Sequence, residues 1–169
     1  MEKKIKDKKI LFILQRGWAI RHGFEIVKKL KENGASISVV VFKKSVESFV
    51  KFQKDVNFDH VIEESFIEQN SKEIIQKENY NSERLLEDFK IKSIWQFVHT
   101  LRGKATSYKE KYPFSYNQNL NDEDLKNYIL AFGCQLVSLY KNFKPDLSIM
   151  YNYGDIRHHL IAQISNINN

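Results

Sequence analysis

Lys9-Ile-Leu-Phe-Ile-Leu14, followed by Gln15-Arg-Gly-Trp-Ala-Ile-Arg-His-Gly23, is the stretch whose reading decides the fold. Its first part is a continuous apolar run of strand formers behind a single lysine. A run without polar alternation suits a strand buried on both faces, as in a parallel sheet. Gly17 breaks the run. Ile20, Phe24, Val27 and Leu30 then recur at helical spacing as far as Asn33-Gly34, where a glycine suits the left-handed residue that ends a helix. Ser36-Ile-Ser-Val-Val-Val-Phe42 reads as a second buried strand. Strand, helix and strand within about 35 residues make a β-α-β crossover.

Beyond this unit the pattern is less even. A shorter helix is expected with Val46, Phe49 and Val50 inward, and a short third strand at His60-Val-Ile62. Residues 63–81 are polar and helix-prone. Ile91, Ile94, Trp95, Val98 and Leu101 mark another helix, and 108–120 reads as a long aromatic loop broken by Pro113. Asn121-Asp-Glu-Asp opens the clearest helix: Asn121 can cap it, and the carboxylates favour the positive end of its dipole. Leu125, Tyr128, Ile129, Phe132, Leu136, Leu139, Tyr140 and Phe143 form its stripe. Leu147-Ser-Ile-Met-Tyr151 is the next strand, Asn152-Tyr-Gly-Asp155 a turn, and Ile156 starts a last helix. The expectation is an α/β fold over residues 1–169: one Rossmann-like parallel sheet flanked by helices, with a helix-rich insertion at about residues 63–120.

Bulk composition narrows the function classes. Lys and Arg total 27 against 21 Asp and Glu, a net charge of +6 concentrated partly in Lys3, Lys4, Lys6, Lys8 and Lys9. That cluster reads either as a solvated tail or as an attraction to phosphates, on a nucleotide or at an anionic membrane surface. No RNA- or DNA-binding motif accompanies it, so nucleic acid is not an expected partner. Cys134 is the sole cysteine, which rules out an internal disulfide, and its neighbours Phe132 and Leu136 place it in a helix core. Ile10–Leu14 is too short to span a bilayer, and no small-residue cleavage site follows it. A cytoplasmic location is expected, with peripheral contact at the inner membrane face compatible with the basic N terminus.

Two loops carry the polar chemistry. Arg16–Gly23 follows the first strand and Asn152–His159 follows the last; each combines glycine, arginine and histidine. Ligands in open parallel sheets sit beyond the carboxyl ends of the strands. Arg16, Gly17, Arg21, Asn152, Gly154 and Arg157 are the candidate ligand contacts, the arginines offering planar forks to phosphate or carboxylate. His22 is the candidate base, able to move a proton near neutral pH, and Asp155 is the alternative. Plain structural readings stand beside these: Gly17 as a turn residue, Arg21 on a helix surface, Trp18 as a lid over the core. His158 and His159 are adjacent, so they point apart on a helix and make a poor metal pair. No metal or resident cofactor is expected. The string Arg21-His22-Gly23 invites comparison with histidine phosphatases. There, however, the motif comes directly off the first strand, whereas six residues separate Leu14 from Arg21 here. No GxGxxG, P-loop or Gly-x-Ser-x-Gly elbow is present.

Three stretches taken together, Lys9 to Ile26, Ile94 to Pro113 and Lys144 to Asn152, resemble the N-terminal lobe of glycosyltransferases of the GT-B architecture. More narrowly, they are similar to enzymes of capsule and surface-polysaccharide biosynthesis. The resemblance implies transfer of sugar from a nucleotide-sugar donor to an acceptor hydroxyl, with a glycan or lipid-linked acceptor bound on this side. It implies that Gly17, Arg21 and His22 belong to the loop facing the cleft between lobes, with Asn152–Asp155 lining the same cleft. In that family the donor is held mainly by a C-terminal lobe, which this sequence does not include. Two other readings remain open: a non-catalytic binding module of a split transferase, and a phosphatase using His22.

Overall fold

A computed structural model describes residues 5–15, 20–101, 121–151 and 156–168. The opening unit forms as its apolar runs require: strand β1 at Lys9–Leu14, helix α1 at Gly23–Glu32 and strand β2 at Ser36–Val41. Asn33 caps α1, and Gly34 follows in the left-handed region (φ 86°) that turns the chain back into β2. β1 and β2 pair in parallel register from Lys9 opposite Ser36 to Leu14 opposite Val41. Helix α2 (Lys44–Phe52) leads to strand β3 (Val61–Glu63), which pairs in parallel with Val39–Val41. Strand β4 (Leu147–Ile149) pairs in parallel with Ile10–Phe12 on the other side of β1. The sheet order is therefore β3-β2-β1-β4, a Rossmann-like arrangement with the two most apolar strands in the middle.

Alternation along the central strands divides the core in two. Ile10, Phe12 and Leu14 of β1, with Ile37, Val39 and Val41 of β2, pack against Phe24 and Val27 of α1 and Val46 and Val50 of α2. Leu11, Ile13, Val40, Phe42 and Ile62 face the opposite way. They pack under helices α3 (Glu64–Lys77), α4 (Ser82–Phe89), α5 (Trp95–Thr100), α6 (Asp122–Asn142) and α7 (Ile156–Asn168). Helices α3 to α5 occupy the segment read as a helix-rich insertion; the expected loop at 108–120 lies outside the described residues.

Helix α6 is the centre of the thicker layer. Asn121 Oδ1 accepts from the Asp124 amide at 2.8 Å, and Asp122, Glu123 and Asp124 sit on the positive end of the dipole. Every member of its expected stripe is buried, and so are Leu130, Ala131, Gly133, Cys134 and Val137, because helices pack on more than one side of it. Gly133 is where α4 crosses: a Cβ there would collide with Leu85. Burial pushes the Cys134 thiol up to about 11, so it stays protonated and serves as packing.

Some boundaries differ from the sequence reading. β3 starts at Val61 rather than His60, and α5 starts at Trp95 rather than Ile91. Ile91 belongs to the stop of α4: Lys90 adopts a left-handed φ of 49°, and the Ile91 amide bonds back to the Leu86 carbonyl at 3.0 Å. Trp95 consequently faces outward, 48% exposed, while Ile94, Phe97, Val98 and Leu101 are buried. The weak periodicity of 63–81 reflects a kink in α3 at Asn70, whose side chain donates to the Phe66 carbonyl at 2.8 Å. Among the described residues no helix is long and apolar enough to cross a membrane.

Candidate functional site

Among the described residues the strand order contains one reversal. From β1 the chain moves outward through β2 to β3, then returns to β4 on the far side of β1. The carboxyl ends of β1 and β4 therefore lie side by side at the sheet's topological switch point, the usual ligand position in such sheets.

The described ends of the two loops meet there. Tyr151, just past β4, sets its ring edge-on to Phe12 of β1 with centroids 5.6 Å apart. Its hydroxyl lies over the first residue of α1: a Cβ on Gly23 would stand 2.9 Å from the Tyr151 Oη and 3.4 Å from a Leu14 methyl. Gly23 thus lets the tyrosine settle against the start of the helix. Tyr151 remains 37% exposed, with its phenol shifted upward by burial.

His22 and Arg21, immediately before α1, are both exposed at this edge. The His22 side chain makes no capping hydrogen bond, although its carbonyl accepts from the Ile26 amide at 3.3 Å. Arg16, Gly17, Trp18, Asn152, Gly154 and Asp155 lie outside the described residues. Arg157, also a candidate ligand contact, is buried. It is 8% exposed and pairs with Glu64. Of the adjacent histidines, His158 is buried edge-on to Phe42 with centroids 5.4 Å apart, whereas His159 faces out.

The Arg157 cluster is what sequence reading missed. Glu64 follows β3 directly, Phe42 follows β2 directly, and Arg157 is in the first turn of the helix after β4. The guanidinium carbon stands 4.3 Å above the Phe42 ring, and Tyr128 of α6 donates to Glu64 Oε1 at 2.8 Å. Burial pushes the Tyr128 hydroxyl well above its ordinary value; the Glu64 charge adds to this and the Arg157 charge opposes it. Tyr128 is therefore a neutral donor to a carboxylate already held by arginine. A second buried carboxylate, Glu47 of α2, accepts the Ser65 amide at 2.9 Å and the Ser65 hydroxyl, satisfying the first turn of α3 from another helix. A glutamate flanked by inward Val46 and Val50 was the available signal for Glu47. Nothing local signals Glu64, whose partner is 93 residues away.

The opposite end of the sheet has a groove of about 780 Å³ lined by residues including Lys90, Lys141, Lys144, Tyr140, Asp146 and Ile164. Its lysines stand at the C-terminal ends of α4 and α6, where positive charge offsets the helix dipoles. Two lysines of the N-terminal basic cluster also have local roles. Lys8 Nζ pairs with Asp146 at 3.0 Å, and Lys9 Nζ lies 5.9 Å over Phe143. Among the described residues, no group of three or more His, Cys, Asp or Glu side chains is arranged to hold a metal ion. Compared with protein-family models and with curated proteins, the chain matches none.

Proposed function

We propose that this chain is the acceptor-side lobe of a glycosyltransferase of the GT-B kind, acting in surface-glycan or polysaccharide synthesis. On this reading a second Rossmann-like lobe holds the nucleotide-sugar donor, and the acceptor hydroxyl lies at the carboxyl edge between β1 and β4. The observation that supports it best is the meeting of Gly23 and Tyr151, which joins the ends of both polar loops at the switch point of a parallel sheet. His22, exposed beside that contact, is the residue to deprotonate the attacking hydroxyl, and Arg21 the cation to steady a phosphate or carboxylate. Arg16, Gly17, Asn152, Gly154 and Asp155 remain its further candidate contacts. Association with the inner membrane face, through the basic N terminus, belongs to the same proposal.

Genetic complementation tests it. Deleting the gene in the source organism is expected to shorten or remove a surface glycan, and the native gene to restore it. His22→Ala, expressed at native level, is expected to lower turnover by about 10²–10⁴-fold and to fail to restore the glycan. An unchanged glycan profile in the deletion strain would sink the proposal; full restoration by His22→Ala would remove only His22 from the mechanism.

A further inference from the structure

Resting on that reading of the switch-point edge, we infer that Glu64 and Arg157 form a positioning pair. They fix the start of α7 against the carboxyl ends of β2 and β3, at the edge where Tyr151 meets Gly23. The side chains of Arg157 and Glu64 are only 10% and 7% exposed. The pair joins elements at the two borders of the sheet: β3 is one edge strand, and α7 follows β4, the other. Between them the guanidinium plane is held by the Phe42 ring, and the carboxylate by the Tyr128 hydroxyl. Each contact is directional, so together they define where Arg157, and therefore the first turn of α7, must lie.

Stability alone does not explain such a pair. Taking two charges out of water costs about as much as their attraction returns, and apolar side chains of similar volume often fill such sites as well or better. What an apolar replacement lacks is direction. A guanidinium fork meeting a carboxylate admits one geometry, whereas methionine against leucine admits several. Arg157 lies one residue past the start of α7, so a shift there moves the helix start at the carboxyl edge of the sheet. Neither residue needs to touch a substrate.

The test uses the full chain carrying Glu64→Leu with Arg157→Met, and separately Arg157→Lys. The double variant, in which Tyr128 loses Glu64 as an acceptor, is expected to stay folded with a melting temperature lowered by no more than several degrees. Its Leu160 and Ile161 amides, which close the first turn of α7, are expected to exchange at least about tenfold faster, while Leu130 and Ala131 of α6 stay unchanged. In the deletion strain it is expected to fail to restore the glycan. Arg157→Lys keeps the charge but loses the fork and the stack, and is expected to show the same faster exchange. Native exchange at Leu160 and Ile161 in a stably folded double variant would overturn the inference, as would full complementation by it. If the deletion strain has a normal glycan, the proposed function fails, yet the exchange measurement still decides whether the pair positions α7. Should the double variant fold poorly, Arg157→Lys alone carries the decision.

Discussion

The two faces of the sheet are built on different physics. Between the sheet and α1 and α2 lies an apolar cluster, with Phe12, Leu14, Val27, Ile37, Val39, Val41 and Val46 all fully buried, and the one buried carboxylate of α2, Glu47, reaches away to Ser65. The opposite face also buries large apolar side chains, but polar groups are threaded through it. Tyr128, Glu64 and Arg157 form one cluster, and Tyr140, Ser148 and Ser165 form a triangle of hydroxyls, with Tyr140 to Ser148 at 2.8 Å and Ser148 to Ser165 at 3.0 Å. The alternation of β2 also turns Ser38 toward this face, where its hydroxyl is buried without a hydrogen-bond partner among the described residues. Apolar contact has no direction and tolerates small shifts. A buried charge tolerates nothing short of its partner. The first face therefore holds the sheet together, while the second dictates how particular helices sit on it.

The largest expected effects break this contrast directly. Glu64→Ala takes the Glu64 carboxylate away from a buried guanidinium and is expected to cost about 3–5 kcal/mol in urea unfolding. Ile37→Ala on the apolar face opens a cavity under a residue with no exposure and is expected to cost about 2–5 kcal/mol. Similar totals hide different causes, and a second substitution separates them. Arg157→Met added to Glu64→Ala removes the buried guanidinium as well and is expected to recover more than half of the loss. Val27→Ala added to Ile37→Ala is expected to recover nothing. Strict additivity in the Glu64 and Arg157 cycle would show that the buried pair is not the source of the cost.

The same contrast sets what the sequence could reveal. The apolar face was legible almost residue by residue, because burial on both sides of β1 and β2 leaves an uninterrupted apolar run, and α1 declares itself by spacing and by Gly34. Helix α6 was legible too, from Asn121 and its stripe. The loops at the carboxyl edge could be located from strand ends, and Gly23 and Tyr151 do meet there. The polar cluster was not legible, since Glu64, Tyr128 and Arg157 come from three separated segments and only folding makes them neighbours. Arg157 shows the difficulty. On a loop-to-helix junction an arginine has the same sequence signature whether it faces a ligand or a buried glutamate. The extent of α5 was missed for a local reason, the left-handed turn at Lys90, which no apolar pattern marks.

A smaller effect probes the candidate site. Gly23→Ala places a methyl 2.9 Å from the Tyr151 hydroxyl, too close unless the ring moves. Overpacking of this kind is expected to cost about 1–3 kcal/mol. Tyr151→Ala made in the Gly23→Ala background removes the obstacle, so the pair is expected to cost less than the sum of the single changes. If the two losses simply add, the close approach is not what constrains position 23, and the two loop ends are less firmly joined than the contact implies.

The smallest effects lie at exposed ends. Asn121→Ala removes the cap of α6 and is expected to cost about 1 kcal/mol, read from the shift of the urea midpoint. Asp146 is more informative because it is the exposed counterpart of Glu64. Its carboxyl is held below the ordinary value, chiefly by the Lys9 amide at 2.8 Å and then by the Lys8 ammonium. A depressed folded-state pKa stabilises the fold above the unfolded value of about 3.9 and loses that contribution as pH falls through the folded value. The stability difference between the native chain and Asp146→Asn is therefore expected to be constant near neutral pH and to shrink below about pH 4. About 1 M salt should also reduce the Lys8 share of it, since an exposed pair is screened within a few ångströms, while leaving the loss from Glu64→Ala nearly unchanged. Equal salt sensitivity at the two sites would mean that water reaches Glu64 and Arg157 as readily as Asp146, and the distinction between a charge that is merely tethered and one that is enclosed would not hold.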